Sequence, residues 1–249
     1  MRLSQRLCRP VRSLYVETNY KILYEDDFLL AVDKPSPLPV HAVGSFQEKN
    51  LLSLLKKESA YQDLSLRIVN RLDSETSGVL LVAKTKESAS YLARQFEKKT
   101  VSKEYLGIVF GIFEEKKGKI EFPLGLRVTE EGYHLRTVDS EGESAETHYE
   151  VISERDNYSW IRLTPLTGRT HQIRAHLSFS GHPIVGDKIY IDNDIYHQYV
   201  LGGWQDSMLE VVKLRRLALH ALKLTVRHPQ DGRERVFEAE IPEIFRSFC

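Results

Sequence analysis

The chain has 249 residues, 41% of them apolar and 28% charged, which is the make-up of an ordinary globular protein long enough for one large domain. Lys plus Arg and Asp plus Glu both number 35, so overall charge does not advertise a polyanionic partner, and any such partner must be met by a local patch. Cys8 and Cys249 have neither zinc-site nor disulfide-framework spacing and suit a reducing, cytoplasmic setting, and no apolar run approaches the ~20 residues of a membrane span.

Residues 1–20 read as a basic, poorly ordered arm: Arg2, Arg6, Arg9 and Arg12 precede the first acid, Glu17. Organised structure is expected from Lys21. Ile22–Tyr24 and Phe28–Val32 read as two strands about a turn at Glu25-Asp26-Asp27. Asp33-Lys34-Pro35-Ser36-Pro37-Leu38-Pro39 follows, a stiff extended loop that either walls a pocket or merely connects. Apolar spacing from Leu51, with Asn50 as the N-cap, predicts a short helix.

Asn70-Arg71-Leu72-Asp73-Ser74-Glu75-Thr76-Ser77-Gly78 then runs into Val79-Leu80-Leu81-Val82. Ser77-Gly78 reads as a turn and the apolar run as a buried strand, so Asp73 sits on a short loop held by a rigid element. Ala89, Leu92, Ala93 and Phe96 recur at helical spacing over 86–99, and Val101–Gly111 reads as a strand with Tyr105 inside it. Residues 112–143 read as shorter strands joined by polar turns. Alternation predicts an antiparallel pair over 145–164, turning at Arg155-Asp156-Asn157.

Leu166-Thr167-Gly168-Arg169-Thr170-His171-Gln172-Ile173-Arg174 is the second dense polar stretch. Gly168 supplies a turn, Thr170 an N-cap, and a helix over 171–180 would bury Ile173, Leu177 and Phe179. Its N-terminus beside Arg169 is a natural anion site. The histidines here lack further ligands at metal spacing. Residues 190–212 read as irregular about Gly202-Gly203, and a hairpin closes the chain over 217–241.

Arg71-Leu72-Asp73 with Thr76-Ser77-Gly78, Lys103-Glu104-Tyr105, the run from Thr167 to Arg174, Gly181-His182-Pro183-Ile184 with Gly186-Asp187, and Leu219-His220-Ala221 resemble, in order and spacing, the RluA family of RNA pseudouridine synthases. The resemblance covers about residues 21–245. It implies an α+β pseudouridine synthase fold: a long, mostly antiparallel mixed sheet with flanking helices and a central RNA-binding cleft. It implies one catalytic domain over 21–249, with no separate N-terminal RNA-binding module. It also implies isomerisation of uridine to pseudouridine in ribosomal or transfer RNA, without cofactor or metal; a monomer is the default expectation. By the same resemblance Asp73 is the nucleophile, Tyr105 stacks on the flipped base, Arg174 pairs with the aspartate and Arg71 fills the gap in the RNA. Thr76, Arg169, His171 and Gln172 join the substrate-binding set. Asn70 stands where most members have histidine, which raises the alternative of an RNA-binding paralogue with impaired catalysis. A glycosidase is a further alternative and needs a second carboxylate, for which Glu75 is nearest.

Overall fold

Short β-forming runs separated by polar turns pair, strand by strand, into one long sheet. The computed structural model describes residues 15–42, 46–128, 134–246 and 248. Most of the basic arm expected over 1–20, together with Cys8 and Cys249, lies outside the described residues. β1 (Lys21–Glu25) and β2 (Leu29–Lys34) are antiparallel. Asp26 closes their turn by accepting from the Phe28 and Leu29 amides at 2.8 and 2.9 Å. α1 (Leu51–Lys57) begins at Asn50, whose side chain accepts from the Ser53 amide. β3 (Arg67–Ile68), β4 (Ser77–Ala83) and α2 (Lys86–Glu97) follow. Then come β5 (Ser102–Phe110), β6 (Lys117–Ile120), β7 (Leu124–Val128), β8 (His134–Val138), β9 (Thr147–Arg155) and β10 (Tyr158–Pro165). α3 (Gln172–Phe179), α4 (Asn193–Gly202), α5 (Leu209–Val212), β11 (Leu219–Arg227), β12 (Glu234–Glu238) and α6 (Glu243–Arg246) complete the described chain.

Ten strands form the main sheet in the order β1-β2-β4-β11-β5-β10-β9-β6, with β3 beside β4 and β12 beside β11. All pairings are antiparallel except β4 with β11. β7 and β8 make a separate hairpin. The expected α+β architecture, a long and mostly antiparallel sheet with few flanking helices, is therefore the one observed.

β4 shows why its sequence is apolar throughout. Successive side chains leave opposite faces of a strand. Leu80 and Val82 pack with Leu51 and Leu55 of α1 on one face, and Val79, Leu81 and Ala83 pack with Leu92 of α2 on the other. Burying each such leucine or valine contributes roughly 1.5–3 kcal/mol. In α2, Gln95 rather than Ala93 turns inward, and it exchanges two hydrogen bonds with the Arg227 backbone.

A single row of residues crosses the sheet at its middle: Lys34, Gly78, Ala221, Tyr105, Leu163 and Tyr149 are successive register partners. Gly78 makes the row possible. Its φ is +108°, and a Cβ there would lie 2.1 Å from the Ala221 carbonyl oxygen. Ser77 and Gly78 are thus the buried first residues of β4 and not the expected turn; the glycine serves close strand approach.

Three further expectations are corrected. Thr170 does not cap α3; His171 does, in the left-handed region at φ 53°, without a side-chain cap bond. Phe179 is 58% exposed, because it follows the last inward position, Leu177, by two residues. Residues 190–212 are not irregular: Asp192 accepts from the Asp194 and Ile195 amides and starts α4. Ile195, Met208 and Val212 then give that segment a small core of its own.

Candidate active site

Asp73 lies on the loop between β3 and β4, and that loop is tied down on both sides. The Thr76 amide donates to the Asp73 carbonyl at 3.1 Å, closing a turn. Asn70 Oδ1 accepts from the Leu81 amide at 2.7 Å, fixing the loop's start to β4. The proline-rich segment clamps the far side. The Leu38 amide donates to the Ser74 carbonyl at 2.8 Å, and Ser36 Oγ donates to the Glu75 carbonyl at 2.6 Å. Lys34 is fully buried, and its ammonium donates to the carbonyls of Pro35, Leu38 and Ser74 at 2.9, 2.9 and 3.0 Å. Burial pushes its pKa down to about 7. The stiff loop is therefore a wall of the site.

Arg174 comes in from α3. Its Nη1 donates to Asp73 Oδ2 at 2.9 Å, while Nε and Nη2 donate to the two oxygens of Asp187 at 2.7 and 2.9 Å. Asp187 is itself fixed, since its Oδ1 accepts from the Ile189 and Tyr190 amides at 2.9 and 3.1 Å. The Arg174 guanidinium also lies 5.1 Å from the centre of the Tyr190 ring. Burial, the largest single influence, would raise the pKa of Asp73, but the Arg174 charge and hydrogen bond together with His171 outweigh it and hold the carboxyl below its usual range. Asp73 is thus an anion held at a fixed point and half open to the cavity.

Two cavities meet at that carboxylate. The inner one, about 300 Å³, has Asp73 at one end, the Tyr105 ring on β5 as a wall, and Phe96, Ile173 and Leu219 as apolar lining. Burial, helped by the Asp73 charge, pushes the Tyr105 hydroxyl far up, so the ring is neutral at physiological pH. Lys103 Nζ donates to the Thr167 carbonyl at 3.0 Å at the same cavity, and burial lowers its pKa to about 8. The outer cavity, about 530 Å³, opens on the other side of Asp73, towards α4.

The remaining expected residues fall as follows. Arg71 is exposed on the rim shared by both cavities. Thr76 is buried and lines the inner one. His171 Nε2 lies 3.8 Å from Asp73 Oδ2, and its Nδ1 lies 3.1 Å from the Tyr190 hydroxyl. Burial, with the Arg174 charge, lowers its pKa to about 4, so it is neutral near pH 7. Arg169 lines both cavities but pairs with Glu143 at 2.6 Å. Gln172 is buried. Its Oε1 accepts from Thr167 Oγ1 and the Arg169 amide at 2.6 and 3.0 Å, and its Nε2 donates to the Glu146 carbonyl and Thr147 Oγ1 at 2.9 and 3.0 Å. Gln172 thereby fixes the turn that carries Arg169. Glu75, weighed as a second acid, is paired with Lys188 at 2.6 Å and accepts from the Leu217 amide at 3.1 Å.

The motif Gly186-Asp187 gives Asp187 no role by itself, Lys34 reads only as part of the stiff loop, and Lys188 carries no signal. The signal for Asp187 was its place in an ordered motif set. Nothing local to Lys34 or Lys188 foretells the backbone and carboxylate partners they find some 40 and more than 100 positions away.

The sequence matches the family described as RNA pseudouridylate synthase over residues 28–179. It is 36% identical over 224 residues to the ribosomal large subunit pseudouridine synthase C of Escherichia coli K12, covering 89% of this chain and 66% of that protein. The protein of the same name from Buchnera aphidicola (subsp. Schizaphis graminum) is 32% identical over 248 residues, covering 97% and 75%. The chain thus spans about two thirds to three quarters of the length of these relatives. Among solved structures, human RNA pseudouridylate synthase domain containing 1 superposes with a TM-score of 0.70 at 28% identity, over 90% of this chain and 84% of that one. Human RNA pseudouridylate synthase domain containing 4 gives 0.68 at 27% identity, over 90% of each.

Proposed function

The chain belongs to the RNA pseudouridylate synthase family, and we propose that it isomerises uridine to pseudouridine in large-subunit ribosomal RNA. The observation that carries this reading is the Asp73 carboxylate, held 2.9 Å from Arg174 at the mouth of a cavity walled by the Tyr105 ring. The reaction breaks the C–N glycosidic bond, turns the uracil and joins its C5 to the same sugar carbon. Asp73 is the reacting carboxylate, by attack on sugar or base or by removing a sugar proton. Arg174 keeps it ionised. The target uridine must leave its stack, at a few kcal/mol. Stacking on Tyr105 returns ~1–3 kcal/mol of that. The apolar lining keeps the freed uracil beside the sugar. Residues 21–249 act as one catalytic unit, and as a monomer. The relatives' ribosomal substrate favours ribosomal over transfer RNA, and a cytoplasmic setting follows from it.

The impaired-paralogue alternative drew on Asn70. Asn70 bonds to the β4 backbone and not to the Asp73–Arg174 pair, so histidine's absence there takes no partner from the aspartate. Tritium release from C5-labelled uridine in an unmodified large-subunit ribosomal RNA transcript tests the reading. The natural chain should release tritium, and Asp73→Asn should release it at least about a thousandfold more slowly. Equal rates, or RNA retention without release by the natural chain, overturn it.

A further inference from the structure

We propose that the outer cavity is a second nucleotide subsite, where the base next to the extruded uridine stacks on Tyr196 and Phe46. This rests on the uridine isomerase reading and names how the rest of the strand is held. The two cavities adjoin at Asp73, so a strand with one nucleoside in the first can lay the next nucleoside into the second. The two share the Arg71-Leu72-Asp73 run together with Gly168, Arg169, His171 and Arg174 as a common partition. The outer one is the larger, about 530 against 300 Å³, so room for a base is there. Arg71, exposed on the partition, is placed to meet the phosphate joining the two nucleosides.

The lining is of the kind that takes bases without reading them: aromatic rings beside positive charge. Two tyrosines of α4, Tyr196 and Tyr199, stand three residues apart and both face this cavity. The Lys188 ammonium lies 5.4 Å from the centre of the Tyr199 ring. Lys188 lies 5.7 Å from the Trp204 ring as well and is paired with Glu75, two residues beyond Asp73. The α4 wall is thereby anchored to the catalytic loop, which sets the distance between the two bases. Phe46, half-buried, also lines this cavity.

The test is photocrosslinking of the full chain to a large-subunit ribosomal RNA transcript carrying 5-iodouridine, a probe that couples to stacked aromatic rings, with the adducts mapped by mass spectrometry. Adducts at Tyr105 and at Tyr196 or Phe46 are expected. An adduct at Tyr105 alone overturns the subsite and leaves the isomerase reading standing. An adduct at Tyr196 without one at Tyr105 cuts the link to an extruded uridine and overturns the proposal, as does an adduct at neither. In parallel, Tyr196→Ala should weaken binding of the same transcript about tenfold, the low end of one base stack, and Tyr196→Phe should restore it. Equal losses in both variants mark a role in packing α4 and overturn the proposal.

Discussion

Arg174 makes three hydrogen bonds to two carboxylates with a rigid, planar fork. Lysine brings the same charge but no fork, so it cannot reach Asp73 and both oxygens of Asp187 together. Arg174→Lys should therefore leave Asp73 ionised yet misplaced, and tritium release should fall about a hundredfold. Asp187 is 1% exposed and serves a different purpose. Removing it leaves a buried guanidinium with one of its two anions, and breaking a buried pair costs about 3–5 kcal/mol. Urea unfolding of Asp187→Ala should show that loss, whereas Asp73→Asn, half-exposed and still able to accept a hydrogen bond, should lose much less. Equal stability in both variants contradicts the assignment of anchor and reactant. Asp73 and Arg174 were legible in the sequence because each belongs to a motif of the ordered set that resembles a known family. Asp187 was not, because its task appears only once α3 docks beside it.

At the scale of elements, the β4–β11 contact shapes the site. Only two residue pairs join these strands, His220 with Ser77 and Ala221 with Gly78. Ser77 Oγ lies 2.9 Å from His220 Nδ1 and accepts from Arg216 at 2.7 Å, so polar bonds reinforce the short contact. A methyl group at residue 78 would meet the Ala221 carbonyl and be strained at φ +108°. Gly78→Ala should push β11 off β4 and lower unfolding stability by about 4 kcal/mol or more, measured by urea titration. A loss under 1 kcal/mol would show that the strands can part cheaply. Helices and strands with strong periodicity were legible from sequence, α1 with its Asn50 cap among them. The strand role of Ser77-Gly78 was not, since the glycine answers to a strand more than 140 positions on. α4 was hidden by Gly202-Gly203, although Asp192 carried an N-cap signal.

For the whole molecule, His171 and His220 contribute strongly to the response to acid. Burial lowers His171 to about 4 and His220 to about 3, against an ordinary value of 6.5. The unfolded chain binds these protons first, so stability is intact above pH 6.5 and falls as pH drops below it. By pH 4 the loss is roughly 3 kcal/mol from each histidine. Denaturant midpoints measured from pH 7 to pH 4 should fall accordingly, and His220→Gln should flatten the curve by about half. A midpoint that holds constant to pH 4.5 would mean that water reaches both rings. The order of strands has another consequence. Asp73 belongs to the side of the sheet that holds β4, Tyr105 and Arg174 to the side that holds β5, and β11 is the seam between them. A ribosome must deliver the chain through β11, Leu219–Arg227, before that seam exists. Until then nothing in the sheet joins β4 to β5, so a chain truncated before β11 should bring no carboxylate to the Tyr105 ring and should release no tritium.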